Sequence, residues 1–177
     1  MGAGIAQVAA TNGHEDCLFD SFDGALKNAE TKLTKILNRL VEKERLSDQE
    51  KNDILSKIKF SKNLEDIIGS GLVIEAIIEN LEIKQKIFTY IEKLVDNKCI
   101  IASNTSSLSI ASIASSCKKS ERVVGIHFFN PAPLMPLVEI IPAVQTSSET
   151  LKNSKNTEFH LHQKLLFAHN VILKKQN

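Results

Sequence analysis

Residues 1–20, MGAGIAQVAATNGHEDCLFD, decide how the rest of the chain is read. A glycine-containing turn opens directly into a helix of small and apolar residues (GIAQVAATNG). A short apolar run follows and ends in an acid (CLFD). Turn, helix and short strand in that order begin an alternating α/β chain, in which β-rich runs separated by helices build a mostly parallel sheet. Such a chain has a strand before its glycines. Here Met1 stands at that place, so the sheet is expected to lack its first strand.

Outward from this stretch the alternation continues. Phe22, Ala25, Leu26, Ala29, Leu33, Ile36, Leu37 and Leu40 recur at three- and four-residue steps, the apolar face of a long helix. Ser47 and Glu50 have capping-box spacing ahead of a second helix, DQEKNDILSKI. GLVIEAI reads as a buried strand, EIKQKIFTYIEKLVD as an amphipathic helix, CIIAS as a strand and SIASIASSC as a small-residue helix. RVVGIHFF and LVEII are strands joined by a proline-rich turn. Beyond about Val144 the character changes. Residues 151–177 hold five Lys against one Glu, a local charge of +4, with no Gly or Pro, and LHQKLLFAHNVIL within them has the look of a helix.

The bulk numbers narrow the classes. With 177 residues, 42% hydrophobic and 24% charged, the chain can bury a core of ordinary size. A net charge of +1 gives no one-signed field for nucleic acid or an anionic membrane. No apolar run reaches the roughly 18 residues of a membrane span, and no basic-then-apolar leader opens the chain. Cys17, Cys99 and Cys117 are scattered and form no CxxC pair, which argues against a disulfide framework or a zinc site and for a reducing, cytoplasmic setting.

Four stretches carry chemistry. In the first, a helix N-terminus after Gly2 and Gly4 offers free N–H groups suited to a pyrophosphate, and Asp20, 16 residues past Gly4, can accept from a ribose hydroxyl. The full G-x-G-x-x-G is not present, and an ordinary flexible start before a helix remains the other reading. In VIEAIIENLEIKQKIF, Glu75 and Glu79 stand among apolar residues, and Lys84 can answer a carboxylate or a phosphate; a solvated strand-to-helix junction is the alternative. In ASNTSSLSI, Ser103, Asn104, Thr105, Ser106 and Ser107 either donate to a ligand oxygen or cap the following helix. In GIHFFNPAPLMPLVEII, His127 ends one strand and Glu139 lies within the next. If these strands are neighbours, the carboxylate fixes the imidazole tautomer and raises its basicity, as a general base requires.

Together GAGIAQVAATNGH, VIEAIIENLEIKQKIF, ASNTSSLSI and GIHFFNPAPLMPLVEII resemble the NAD-binding domain of the 3-hydroxyacyl-CoA dehydrogenases, in order and spacing, from Met1 to about Thr146. The short-chain 3-hydroxybutyryl-CoA enzymes of bacteria are the nearest form. The resemblance implies an α/β, Rossmann-like doubly wound, mostly parallel sheet lacking its first strand. It implies a domain at residues 1–146, incomplete at its N-terminus, and a non-family tail at 147–177, irregular or a short helix. It places Gly2, Gly4, Asp20, Ala76, Glu79, Lys84, Ser106 and Asn130 on the NAD cofactor, Ser106 and Lys43 on the acyl-CoA substrate, and His127, Glu139 and Ser106 in catalysis. The implied reaction oxidises a (3S)-3-hydroxyacyl-CoA to the 3-oxoacyl-CoA, as in fatty-acid metabolism. No metal, nucleic acid or membrane partner is implied.

The chain departs from the family in two ways. The family begins with a strand and two further glycines, and continues past LVEII into a P-G-F-x-x-N-R segment and an all-helical, dimer-forming domain. Neither is visible here, although TSSETLKNSKN still looks like the family's next helix. The chain is therefore expected to behave as a fragment, with weak NADH binding and turnover near background when alone. A non-catalytic remnant, or a nucleotide-binding domain needing a helical partner, is the alternative to a working dehydrogenase.

Overall fold

The computed structural model describes residues 1–160 and 164–167. Its backbone contacts divide into two compact units, one of Met1–Ile67 with Asn130–Met135, the other of Ile68–Phe129 with the chain from Pro136 onward.

The first unit opens with α1 (Gly2–Thr11), followed by β1 (Asp16–Phe19), α2 (Asp23–Glu42), α3 (Asp48–Ser56) and β2 (Ile58–Ser61). β1 and β2 pair in parallel, from Asp16 opposite Ile58 to Phe19 opposite Ser61. Ala6 and Ala10 of α1, Leu33 and Leu37 of α2, Ile54 of α3 and Ile58 of β2 form the core, flanked by Leu18 and Phe60. Small residues on α1 let the helices approach closely. α2 buries the stripe Leu26, Leu33 and Leu37, whereas Ile36 is 45% and Phe22 69% exposed. Both were expected on the buried face. Ile36 is rotated by about 100° from Leu37, and Phe22 is the N-cap, outside the helix proper. α3 starts with the anticipated capping box: Ser47 Oγ accepts from the Glu50 N–H at 3.2 Å and the Ser47 N–H donates to Glu50 Oε2 at 2.8 Å. The Ser47 N–H and the Ser47 hydroxyl, which both donate to the Glu50 carboxylate, lower the Glu50 pKa. The helix ends at Ser56, not at Ile58; residues 58–61 are strand β2, hidden in the sequence by Lys59 between its apolar residues.

The second unit holds β3 (Leu72–Glu75), α4 (Leu81–Leu94), β4 (Ile100–Ser103), α5 (Ile110–Ala114), β5 (Val123–Phe128), β6 (Leu137–Pro142), α6 (Ser148–His160) and β7 (Lys164–Phe167). The sheet order is β3-β4-β5-β6-β7, parallel throughout except that β5 and β6 are antiparallel. All four residues of β4 and five of six in β5 are buried, as expected of central strands covered on both faces. The exception in β5 is His127. Gly125 lets α5 sit close: a Cβ there would lie 2.9 Å from Ile110 Cδ1 and 2.9 Å from Ile141 Cβ. Helix α6 begins one residue after Ser147, whose hydroxyl accepts from the Thr150 N–H at 3.1 Å. Within LHQKLLFAHNVIL, residues 164–167 are a strand rather than a helix, taken up by the open edge of β6. The rest of that segment lies outside the described residues. Among the described residues no helix is long and apolar enough to cross a membrane.

Candidate active site

The second unit assembles a polar centre at the C-terminal ends of its parallel strands. β5 and β6 run antiparallel with His127 directly opposite Glu139. Residues so opposed hold their Cβ atoms about 5 Å apart, close enough for side chains to meet. His127 Nδ1 lies 2.8 Å from Glu139 Oε2, with the side chains 16% and 23% exposed. Because the carboxylate occupies Nδ1, the ring's Nε2 is left as the nitrogen able to exchange a proton. The Phe129 ring lies against the imidazole, tilted at 56° with centroids 4.9 Å apart.

Next to β5 the loop after β4 carries Ser106, which is exposed. Two hydrogen bonds of Asn104 fix this loop. Its N–H donates to the Glu75 carbonyl at 2.8 Å, and its Oδ1 accepts from the Phe128 N–H at 2.8 Å. The chain segment bearing Ser106 is thereby tied to the strand bearing His127. Thr105 Oγ1 accepts from the Leu108 N–H at 3.0 Å, and Ser109 caps α5, so the loop both supplies donors and caps a helix.

At the end of β3, Glu75 is buried and accepts three hydrogen bonds: from Lys84 Nζ at 2.6 Å, the Ile77 N–H at 2.6 Å and Ser103 Oγ at 2.7 Å. Lys84 Nζ also lies 3.4 Å from Glu79 Oε2. Glu79 Oε1 in turn accepts from the hydroxyls of Thr105 and Ser107, the latter at 2.9 Å. Partial burial works to raise the Glu79 pKa, but the Thr105 and Ser107 donors together with the Lys84 ammonium outweigh it and hold the pKa below its usual value. The Glu75–Lys84 pair is costly to desolvate. Stranding either charge costs about 3–5 kcal/mol, whereas removing both together is close to neutral. Sequence reading noticed Glu75, Ser103, Thr105 and Ser107 but not their joint role. The signal was a run of polar residues, mostly hydroxyl, that starts at the last position of an otherwise apolar strand.

The first unit holds Gly2, Gly4, Asp20, Lys43 and Asn130. The first turn of α1 contains no acidic side chain and no side-chain cap, which suits an anion, while the Met1 carbonyl accepts from the Gly4 N–H at 2.8 Å and the Ile5 N–H at 3.1 Å. Gly4 packs against the 130–135 segment: a Cβ there would lie 3.4 Å from Pro133 Cδ and 3.5 Å from Ala132 Cβ. Asp20 follows β1, and its Oδ1 accepts from the Phe22 N–H at 2.9 Å. Lys43, at the C-cap of α2, and Asn130 are exposed. Ala76, in the second unit, is half-buried beside Glu75.

A mostly parallel α/β chain with a glycine-led helix, an acid after the next strand and a His–Glu pair across two adjacent strands defines a Rossmann-like nucleotide-binding domain. Comparison with known proteins gives the family. The NAD-binding domain of 3-hydroxyacyl-CoA dehydrogenase matches residues 1–166, and the chain belongs to that family. It is 43% identical over 150 residues to a 3-hydroxybutyryl-CoA dehydrogenase of Clostridioides difficile, covering 85% of this chain and 53% of that protein. It is 41% identical over 159 residues to the mitochondrial hydroxyacyl-coenzyme A dehydrogenase of Sus scrofa, covering 86% and 51%. Among solved structures, 3-hydroxybutyryl-CoA dehydrogenase of Escherichia coli K12 superposes with a TM-score of 0.93 at 34% identity, over 96% of this chain and 36% of that one. The (S)-3-hydroxybutyryl-CoA dehydrogenase of Ralstonia eutropha gives 0.91 at 38% identity, over 94% and 59%. The chain spans about half the length of the curated relatives it matches. The family match runs to residue 166 and takes in α6.

Proposed function

We propose that this chain is the cofactor-binding and proton-transfer part of an NAD-dependent 3-hydroxyacyl-CoA dehydrogenase acting on short (3S)-3-hydroxyacyl-CoA substrates. The observation that carries this reading is the His127–Glu139 pair, 2.8 Å apart on directly opposed residues.

Bound NAD⁺ would supply the hydride acceptor that the protein's own side chains lack. Its binding is assigned to Gly2, Gly4, Asp20 and Asn130 of the first unit and to Ala76, Glu79 and Ser106 of the second; Lys84 belongs to the same group by its contact with Glu79. His127 Nε2 removes the proton of the substrate's 3-hydroxyl. Glu139 keeps the other ring nitrogen hydrogen bonded, sets the tautomer, and stabilises the imidazolium once the proton has moved. The exposed Ser106 hydroxyl donates to a substrate oxygen, and Lys43 meets the CoA phosphates. A cytoplasmic setting and an acyl-CoA partner complete the proposal.

The reading is tested by following NADH-dependent reduction of acetoacetyl-CoA by the chain, with and without an added all-helical domain from a relative. Activity in either arm that His127→Ala abolishes supports the proposal. A chain that binds neither NADH nor acyl-CoA under any of these conditions overturns it.

A further inference from the structure

We infer that Asn104 is a positioning residue of the proton-transfer centre: its side-chain oxygen supplies one more rung between β4 and β5 and so fixes the Ser106 loop against the strand end that carries His127. The inference deepens the reading of His127 and Ser106 as the groups that meet the substrate's oxygens, and rests on that reading.

Strand register carries the argument. The β4–β5 ladder pairs Ile101 with Val123, Ala102 with Val124 and Ser103 with Gly125, and stops there. On its other side β5 stays paired to β6 as far as Phe128 opposite Val138. The end of β5, His127 included, is thus held by a neighbouring strand on one side only. The Phe128 N–H belongs to the peptide plane that follows His127, and it needs an acceptor where β4 has already turned away. Asn104 Oδ1 is that acceptor, at 2.8 Å. The Asn104 N–H in turn donates to the Glu75 carbonyl at the end of β3, also at 2.8 Å. One residue therefore ties together the ends of β3, β4 and β5. Capping of α5 is left to others: Ser109 Oγ accepts from the Ser112 N–H at 3.3 Å, and Thr105 Oγ1 from the Leu108 N–H at 3.0 Å. The Asn104 side chain instead reaches a partner 24 residues along the chain. Asn104 is half-buried and Thr105 buried, and Ser106 is the first exposed residue after these two anchors.

The bond matters because the two groups it links share one task. His127 takes the 3-hydroxyl proton and Ser106 donates to a substrate oxygen, so their separation has to match the substrate. A misplacement of about 1 Å can cost about 10²-fold in rate even when the changed residue never touches the substrate. Alanine at 104 would leave the Phe128 N–H without its acceptor and free the loop from β5. Aspartate would keep an acceptor there. The neutral amide does the same without adding a carboxylate beside the strand end that holds the His127–Glu139 pair.

The test compares the full chain with Asn104→Ala, Asn104→Asp, Ser106→Ala and the double variant N104A/S106A. Two measurements are made by NMR on the free chain: hydrogen exchange of the Phe128 amide and the ¹⁵N order parameter of the Ser106 amide, with Ala102 and Val124 in the ladder proper as controls for the fold. N104A should expose the Phe128 amide and loosen Ser106 while both controls hold, and N104D should restore the Phe128 protection. The third measurement is single-turnover NADH formation from (3S)-3-hydroxybutyryl-CoA and NAD⁺, with acetoacetyl-CoA affinity read alongside. N104A should slow NADH formation about 10–100-fold with little change in that affinity, and should cost almost nothing more on the S106A background. A Phe128 amide that exchanges no faster in N104A, an unmoved Ser106 order parameter, or the same rate loss in both backgrounds overturns the inference. A native chain that forms no NADH defeats the dehydrogenase reading, and the two NMR measurements then decide the positioning claim by themselves. If a thermal melt shows N104A unfolded, Asn104→Ser, polar but too short to reach the Phe128 N–H, is read through the same measurements.

Discussion

His127 and Glu139 face each other across the antiparallel β5–β6 pair, Nδ1 to Oε2 at 2.8 Å, placed by strand register rather than by a loop. A base held this way has little freedom to rotate. In an active preparation, His127→Ala should lower kcat by about 10²–10⁴-fold, the range of general-base catalysis, while NADH affinity stays nearly constant. Glu139→Gln, which keeps the shape but not the charge, should reduce kcat by a smaller factor. Steady-state kinetics with acetoacetyl-CoA, paired with NADH fluorescence titration, checks both; an equal loss of NADH affinity in His127→Ala would count against the base assignment.

Asp16 heads β1 with both carboxylate oxygens buried and lacking a hydrogen-bond partner among the described residues. Burial raises its pKa from the ordinary 3.8 to about 7. The folded state therefore holds the proton more tightly than the unfolded one. Below pH 3.8 both states are protonated and the ionisation of Asp16 contributes nothing to stability. Its destabilisation grows as pH rises toward 7 and is complete above it. Asp16→Asn should raise the melting temperature at pH 8 by several degrees and leave it little changed near pH 4. Differential scanning fluorimetry across that range shows whether the gap between the two proteins opens with pH.

Gly125 is required by packing. The atoms nearest an added Cβ are Ile110 Cδ1 and Ile141 Cβ, each at 2.9 Å, from a helix on one side and a neighbouring strand on the other. Gly125→Ala should cost about 1–3 kcal/mol by overpacking, read as a lower denaturation midpoint in urea. A neutral result would mean that α5 can shift outward without loss.

Burial raises the thiol pKa of both Cys99 and Cys117 to about 11. At pH 8 neither supplies an appreciable thiolate. Cys17, half-buried in β1, is also raised. The native chain should react slowly with a disulfide reagent, Cys17 first, and all three thiols should react rapidly in denaturant. Rapid native labelling of Cys99 or Cys117 would contradict the packing described.

What the sequence revealed and what it hid divide along physical lines. The Ser47–Glu50 capping box, the apolar run 100–103 and the His127–Glu139 pairing were legible because each depends on local spacing or on two short strands joined by a short turn. Strand β2 was not: Lys59 interrupts its apolar pattern, and the strand exists because β1 offers it a partner. Ile36 was placed on the buried face because periodicity alone cannot fix the width of a helix's contact stripe. The depth of Lys84 could not be read either. Five residues separate it from Glu79, but its closest partner, Glu75, lies one strand-end and a turn away, and Ser103, which completes the network, is 28 residues from Glu75.

The most direct test of the central claim is a single-turnover experiment with the chain in excess over substrate. NAD⁺ and (3S)-3-hydroxybutyryl-CoA are mixed with the protein, and absorbance at the NADH band is followed. NADH should form with the (3S) substrate, not with the (3R) enantiomer, and not with the His127→Ala variant. No NADH from the (3S) substrate, even with an all-helical domain from a relative added, or equal yields from both enantiomers or from His127→Ala, would contradict the account.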